Sequence, residues 1–103
     1  SFVFHEMQKN LRAGQEIYYW RTREKEEVDF ILVQDRIPIA IEVKSRLQTT
    51  EIPPGVRRFF QKYPEYKNAV ILNDDIWETV VYQGKKIIFM PHYYAHLLPF
   101  LYQ

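Results

Sequence analysis

Hydrophobic and polar residues alternate along Glu26-Glu27-Val28-Asp29-Phe30-Ile31-Leu32-Val33 and again along Ile37-Pro38-Ile39-Ala40-Ile41-Glu42-Val43-Lys44, with Gln34-Asp35-Arg36 between them. Period-two alternation in β-branched and aromatic residues on both sides of a short polar reversal predicts a β-hairpin. Ahead of it, Phe4, Met7 and Leu11 recur at helical spacing and Gly14 follows, which predicts a helix from Phe2 to Ala13 with a glycine stop. Glu16 to Thr22 is aromatic and predicts a first strand. Beyond the hairpin, Thr49 to Pro54 reads as loop. Pro54 then opens a helix whose apolar stripe is Val56, Phe59, Phe60 and Tyr63, and Pro64 closes it. Ala69-Val70-Ile71-Leu72 is a short continuous apolar strand of the kind buried on both faces. After the turn Asn73-Asp74-Asp75, Thr79 to Tyr82 and Ile87 to Met90 flank Gln83-Gly84 as a second hairpin. Pro91 starts a final aromatic helix that breaks near Pro99.

The order is α-β-β-β-α-β-β-β-α, an α/β (α+β) chain. A meander followed by a helical crossover to another strand implies a mixed β-sheet flanked by helices.

At 103 residues, 47% apolar and 17% aromatic, the chain is expected to form one domain over 1–103 with its own core. No repeat, low-complexity tract or linker divides it. No run of eighteen apolar residues occurs, so no membrane span is expected. The start Ser-Phe-Val-Phe-His-Glu has no basic leader, and the absence of cysteine suits a cytoplasmic protein without disulfides or thiolate metal sites. Fourteen basic against thirteen acidic residues lack the strongly basic footprint of an autonomous DNA-binding domain. Contact with nucleic acid would fall to a partner domain or to local patches, Arg21, Arg23 and Lys25, Arg57, Arg58 and Lys62, or Lys85 and Lys86, each of which also reads as an ordinary solvated face.

Candidate chemistry centres on the first hairpin. If the reversal is two residues long and centred on Asp35-Arg36, Asp29 lies directly opposite Glu42, and Lys44 shares their face while Ile39, Ile41 and Val43 point into a core. Like charges directly opposite on paired strands are destabilising, and a cation offsets that repulsion. Two carboxylates with water suit a hard divalent ion, Mg²⁺ or Mn²⁺, and Lys44 stands close enough to hold a water or a developing negative charge. A three-residue loop would instead send Asp29 to the opposite face. A half-solvated hairpin with a surface Glu42–Lys44 pair shows the same alternation without any site. Elsewhere, His92 and His96 have the spacing of a two-histidine helix face but no third ligand nearby. Gln83-Gly84-Lys85-Lys86 lacks the first glycine and the hydroxyl of a phosphate loop. Tyr18-Tyr19-Trp20 reads as a strand alternating core and surface aromatics rather than as a base-stacking platform.

A helix carrying an acid, an Asp on one strand and Glu-x-Lys on the next resembles the PD-(D/E)xK nuclease superfamily, the restriction-endonuclease-like fold. More narrowly, Tyr18-Tyr19-Trp20-Arg21, Glu27-Val28-Asp29-Phe30 and Ile41-Glu42-Val43-Lys44-Ser45 resemble the C-terminal domain, of unknown function, of prokaryotic AAA-type ATPases. The resemblance covers about the first half of the chain directly. It implies that Asp29 and Glu42 match the metal-binding acids, with the Val43 carbonyl as a further ligand. Lys44 would match the lysine that acts on the attacking water, and Glu6 is the candidate for the acid of the first helix. Arg21 and Ser45 would contact phosphate or support the metal's ligands. Val28 stands where the superfamily motif has Pro. The implied activity is Mg²⁺-dependent hydrolysis of DNA phosphodiester bonds in a module attached to its own N-terminal ATPase domain. The alternative is a nuclease-fold module, without catalysis, that engages DNA or docks to protein.

Overall fold

The computed structural model describes residues 2–20 and 28–102. Its elements are α1 (Phe2–Lys9), β1 (Gln15–Tyr18), β2 (Phe30–Gln34), β3 (Ile37–Val43), α2 (Pro54–Lys62), β4 (Asn68–Asn73), β5 (Glu78–Tyr82), β6 (Lys85–Pro91), a 3-10 segment His92–Leu97 and α3 (Leu98–Leu101). The six strands form one mixed sheet in the order β1-β2-β3-β4-β6-β5. β3, β4 and β6 run parallel in the middle, and antiparallel pairs complete each side. The mixed α+β layout and the element order agree with the sequence pattern. No described helix is long and apolar enough to cross a membrane.

Alternation along the central strands supplies two cores. Ile39 and Ile41 of β3, with Val70 and Leu72 of β4, meet Val3 and Met7 of α1 and Ala95 and Leu98 near the C-terminus. Ala40, Ala69 and Ile71 face the other way, onto Val56, Phe59 and Phe60 of α2. β4 is buried on both faces because parallel strands in a helix-flanked sheet leave neither face to water.

The first hairpin has the two-residue reversal. Asp35 and Arg36 take φ of 48° and 73°, two successive left-handed residues as in a type I′ turn, although neither is Gly or Asn. Phe30 therefore pairs with Ile41 and Ile31 with Ala40.

Several boundaries differ from the sequence pattern, each for a local reason. α1 stops at Lys9, not Ala13: the Asn10 side chain donates to the Glu6 carbonyl at 2.7 Å and its backbone N–H closes a tighter bond to Met7. Gly14 is thus no helix stop. It precedes β1 with φ of 82°, its carbonyl accepts the Asp35 N–H at 3.0 Å, and a Cβ there would strike the Asp35 carboxylate. Gly14→Ala should accordingly cost about 1–2 kcal/mol, read as a lower midpoint in urea unfolding; an unchanged midpoint would contradict this packing. β1 ends at Tyr18, so the aromatic run does not alternate throughout: Tyr19 is exposed and stacks on Phe4, while Trp20 packs edge-on against Phe59. The final helix is split. His92–Leu97 is 3-10, and Pro99 sits in the first turn of α3, where its missing N–H costs nothing, so it begins a helix instead of breaking one.

Candidate functional site at the sheet edge

Because β3, β4 and β6 are parallel, their C-terminal ends reach one edge of the sheet together: Val43 lies in register with Leu72, and Asn73 with Pro91. β2, running the other way, starts at that same edge. The chain segments leaving and entering there carry Asp29, Glu42 to Ser45, Asn73 to Asp75 and His92. The ends of parallel strands are where open α/β sheets bind ligands, since the helices that cover the faces stop short of them.

Asp29 occupies a bend one residue before β2, and one step outward along the observed register sets it across from Glu42. Its Oδ2 accepts the Val43 N–H at 2.7 Å, a side-chain bond that continues the ladder past its last backbone pair. That bond fixes the carboxylate over the end of β3. Half-buried, Asp29 lines a cleft of about 470 Å³ with Phe2, Val3, Phe30, Val43 and His92, on the α1 side. Glu42 is buried, at 6% exposure, and the alternation of β3 puts it on the face of Ala40. Lys44 is exposed. Its backbone N–H extends the β3–β4 ladder to the Leu72 carbonyl at 2.8 Å, and it lines a second cleft of about 260 Å³ beside Arg57 and the start of α2.

The expected register is present, but the three groups do not lie on one plain face. Glu42 and Lys44 keep to the α2 side by alternation. Asp29 precedes the first paired residue, so the pleat does not constrain it, and it opens toward α1. What the three share is the strand end.

Glu6, expected from the first helix, does not line the Asp29 cleft; α1 presents Phe2 and Val3 there instead. Glu6 is bound by Lys9 at 2.6 Å, and that contact first, then the charge of His96, holds its carboxyl below the usual range. Ser45 is exposed just past Lys44. Arg21 lies outside the described residues. His92 and His96 do not share a face: at 3.0 residues per turn, positions four apart on a 3-10 helix diverge by about 120°.

Two carboxylates and a main-chain carbonyl match Mg²⁺ or Mn²⁺, which take one or two carboxylates and keep several waters. They do not match a closed tetrahedral zinc site, and the described residues hold no cluster of three or more His, Cys, Asp or Glu that could bind a metal.

One residue of this edge was read in the sequence only as half of a two-histidine helix face. His92 follows Pro91 at the end of β6, and its Nδ1 lies 3.2 Å from the Asn73 carbonyl and 3.8 Å from Asp74 Oδ1. Its only signal is a histidine directly after a strand, which becomes meaningful once β4 and β6 are known to be parallel.

Residues 1–94 match one family model, described as a domain of unknown function, DUF4143. No curated protein and no solved structure matches the chain.

Proposed function

The chain belongs to the DUF4143 family of domains of unknown function, and from that premise we propose that it is a PD-(D/E)xK-type module, attached to an AAA-type ATPase, that hydrolyses DNA phosphodiester bonds with Mg²⁺ or Mn²⁺. The support for this reading is the register of the first hairpin, which sets Asp29 across from Glu42 at the strand end with Lys44 two residues on, although Asp29 opens toward α1 and the other two toward α2. Glu42 is buried, where a charge is costly unless it is paired.

In this reading Asp29, Glu42 and the Val43 carbonyl would hold the ion. When bound, the ion polarises the phosphoryl oxygen and lowers the pKa of its water. Asp29 is held ready by the Val43 N–H on Oδ2, which leaves Oδ1 as its donor. Lys44, exposed on the neighbouring cleft, neutralises charge that develops on the phosphate. Ser45, exposed just past Lys44, would contact a phosphate oxygen. The near balance of charge leaves DNA affinity to the ATPase domain. That same balance supports the rival reading, a module of this fold that docks without catalysis.

Thermal unfolding in increasing Mn²⁺ or Mg²⁺ separates the two. An ion bound only to the native state at a hundred times its Kd adds about 2.7 kcal/mol, so the wild type should melt higher and Asp29→Ala should not respond. Equal melting shifts in both proteins would overturn the assignment of Asp29. No shift in either would leave the docking reading in possession. On DNA substrates, Lys44→Ala should lose about 10²-fold or more in cleavage rate.

A further inference from the structure

His92 is held by features that give its ring a defined chemistry. Pro91 at φ −62° ends β6 and aims the chain across the end of β4, where Asn73 is its neighbour in register. Nδ1 of His92 meets the Asn73 backbone carbonyl at 3.2 Å. A carbonyl has no proton to give, so Nδ1 carries the hydrogen, and the neutral ring keeps an unprotonated Nε2. Asn73 does not move: its Nδ2 donates to the Ile76 and Met90 carbonyls at 3.2 and 3.3 Å, and its Oδ1 accepts the N–H groups of Asp75 and Ile76 at 3.0 and 2.6 Å. Asp74 Oδ1 lies 3.8 Å from Nδ1. Asp29 and His92 both line the α1-side cleft, whereas Lys44 opens into the other one.

We propose that His92 is a catalytic residue of this site, the proton acceptor that serves the Asp29 cleft, with Asn73 and Asp74 as its positioning residues. The proposal rests on the hydrolysis reading and adds a group that the Asp, Glu and Lys set does not contain. As a water oxygen forms its bond to phosphorus, Nε2 takes the water's proton. The bond from phosphorus to the leaving oxygen breaks, and that oxygen takes a proton from solvent. The ring then returns its proton to solvent. Nothing is oxidised or reduced.

Two measurements test this. In protein carrying ¹⁵N-labelled histidine, the nitrogen shifts of His92 should report a protonated Nδ1 and a bare Nε2; the opposite tautomer would overturn the proposal. In single-turnover cleavage with saturating Mg²⁺, His92→Gln should slow the reaction about 10²- to 10⁴-fold while the melting shift produced by Mg²⁺ alone stays as in wild type. Added imidazole should restore part of the rate to His92→Gly and none to Lys44→Ala. If wild type cleaves and His92→Gln cleaves as fast, this inference fails and the hydrolysis reading stands. If wild type does not cleave at all, hydrolysis fails and takes the role of His92 with it.

Discussion

Phe59→Ala is expected to remove about 3–5 kcal/mol, the largest loss from any one side chain on the α2 side of the sheet. Phe59 is 2% exposed and is the hub of the aromatic packing there. Trp20 meets it edge-on at 5.6 Å, Phe60 and Tyr63 lie at 5.5 and 5.4 Å, and Tyr66 stacks at 6.3 Å. Truncation leaves a hole that no single neighbour can fill without abandoning another ring. At this chain length 1 kcal/mol moves the melting temperature by about 4–8 °C, so a fall of more than about 12 °C is expected by calorimetry. Phe100→Ala, at a ring 42% exposed, should move it far less. A Phe59→Ala protein melting within a few degrees of wild type would mean that α2 does not pack as described.

Asn73→Ala is expected to cost about 3 kcal/mol through a different mechanism. Asn73 is 1% exposed, yet its side chain satisfies five backbone groups: the carbonyls of Ile71, Ile76 and Met90 and the N–H groups of Asp75 and Ile76. Alanine leaves these without their partner at the place where β4 and β6 end together. Asp is no remedy. Asn73→Asp keeps the acceptor oxygen but sets a second oxygen against three carbonyls, so it should destabilise at least as much. Urea midpoints followed by circular dichroism decide the matter, and an Asp variant as stable as wild type would contradict this bonding pattern.

Much of this architecture is readable from residue order alone. Pro54 and Pro64 bound α2, Gln83-Gly84 marks the second hairpin, and the continuous apolar run at Ala69–Leu72 marks a strand covered on both sides. These signals are local, and local chemistry decides them. The boundaries that shifted were decided by partners the pattern does not display. Asn10 ends α1 by turning its own side chain onto Glu6, and Gly14 answers to a turn twenty residues away. The site was legible in part for the same reason. Asp29 and Glu42 fall within one hairpin, whose register follows from a two-residue loop. The side to which Asp29 opens depends on where β2 begins, and the approach of His92 depends on parallel pairing between strands far apart in the chain. Neither is written in periodicity. The 3-10 winding that separates His92 from His96, in a segment that packs against α1, is likewise not displayed by spacing.

Lys44, Ser45 and His92 all stand beyond the last paired residue of their strands, outside the two cores. Those three side chains therefore leave the cores untouched, whereas Glu42 and Asn73 are buried and serve the fold as well. On the proposed function, losing the lysine or the histidine would leave both cores, and with them the fold, in place.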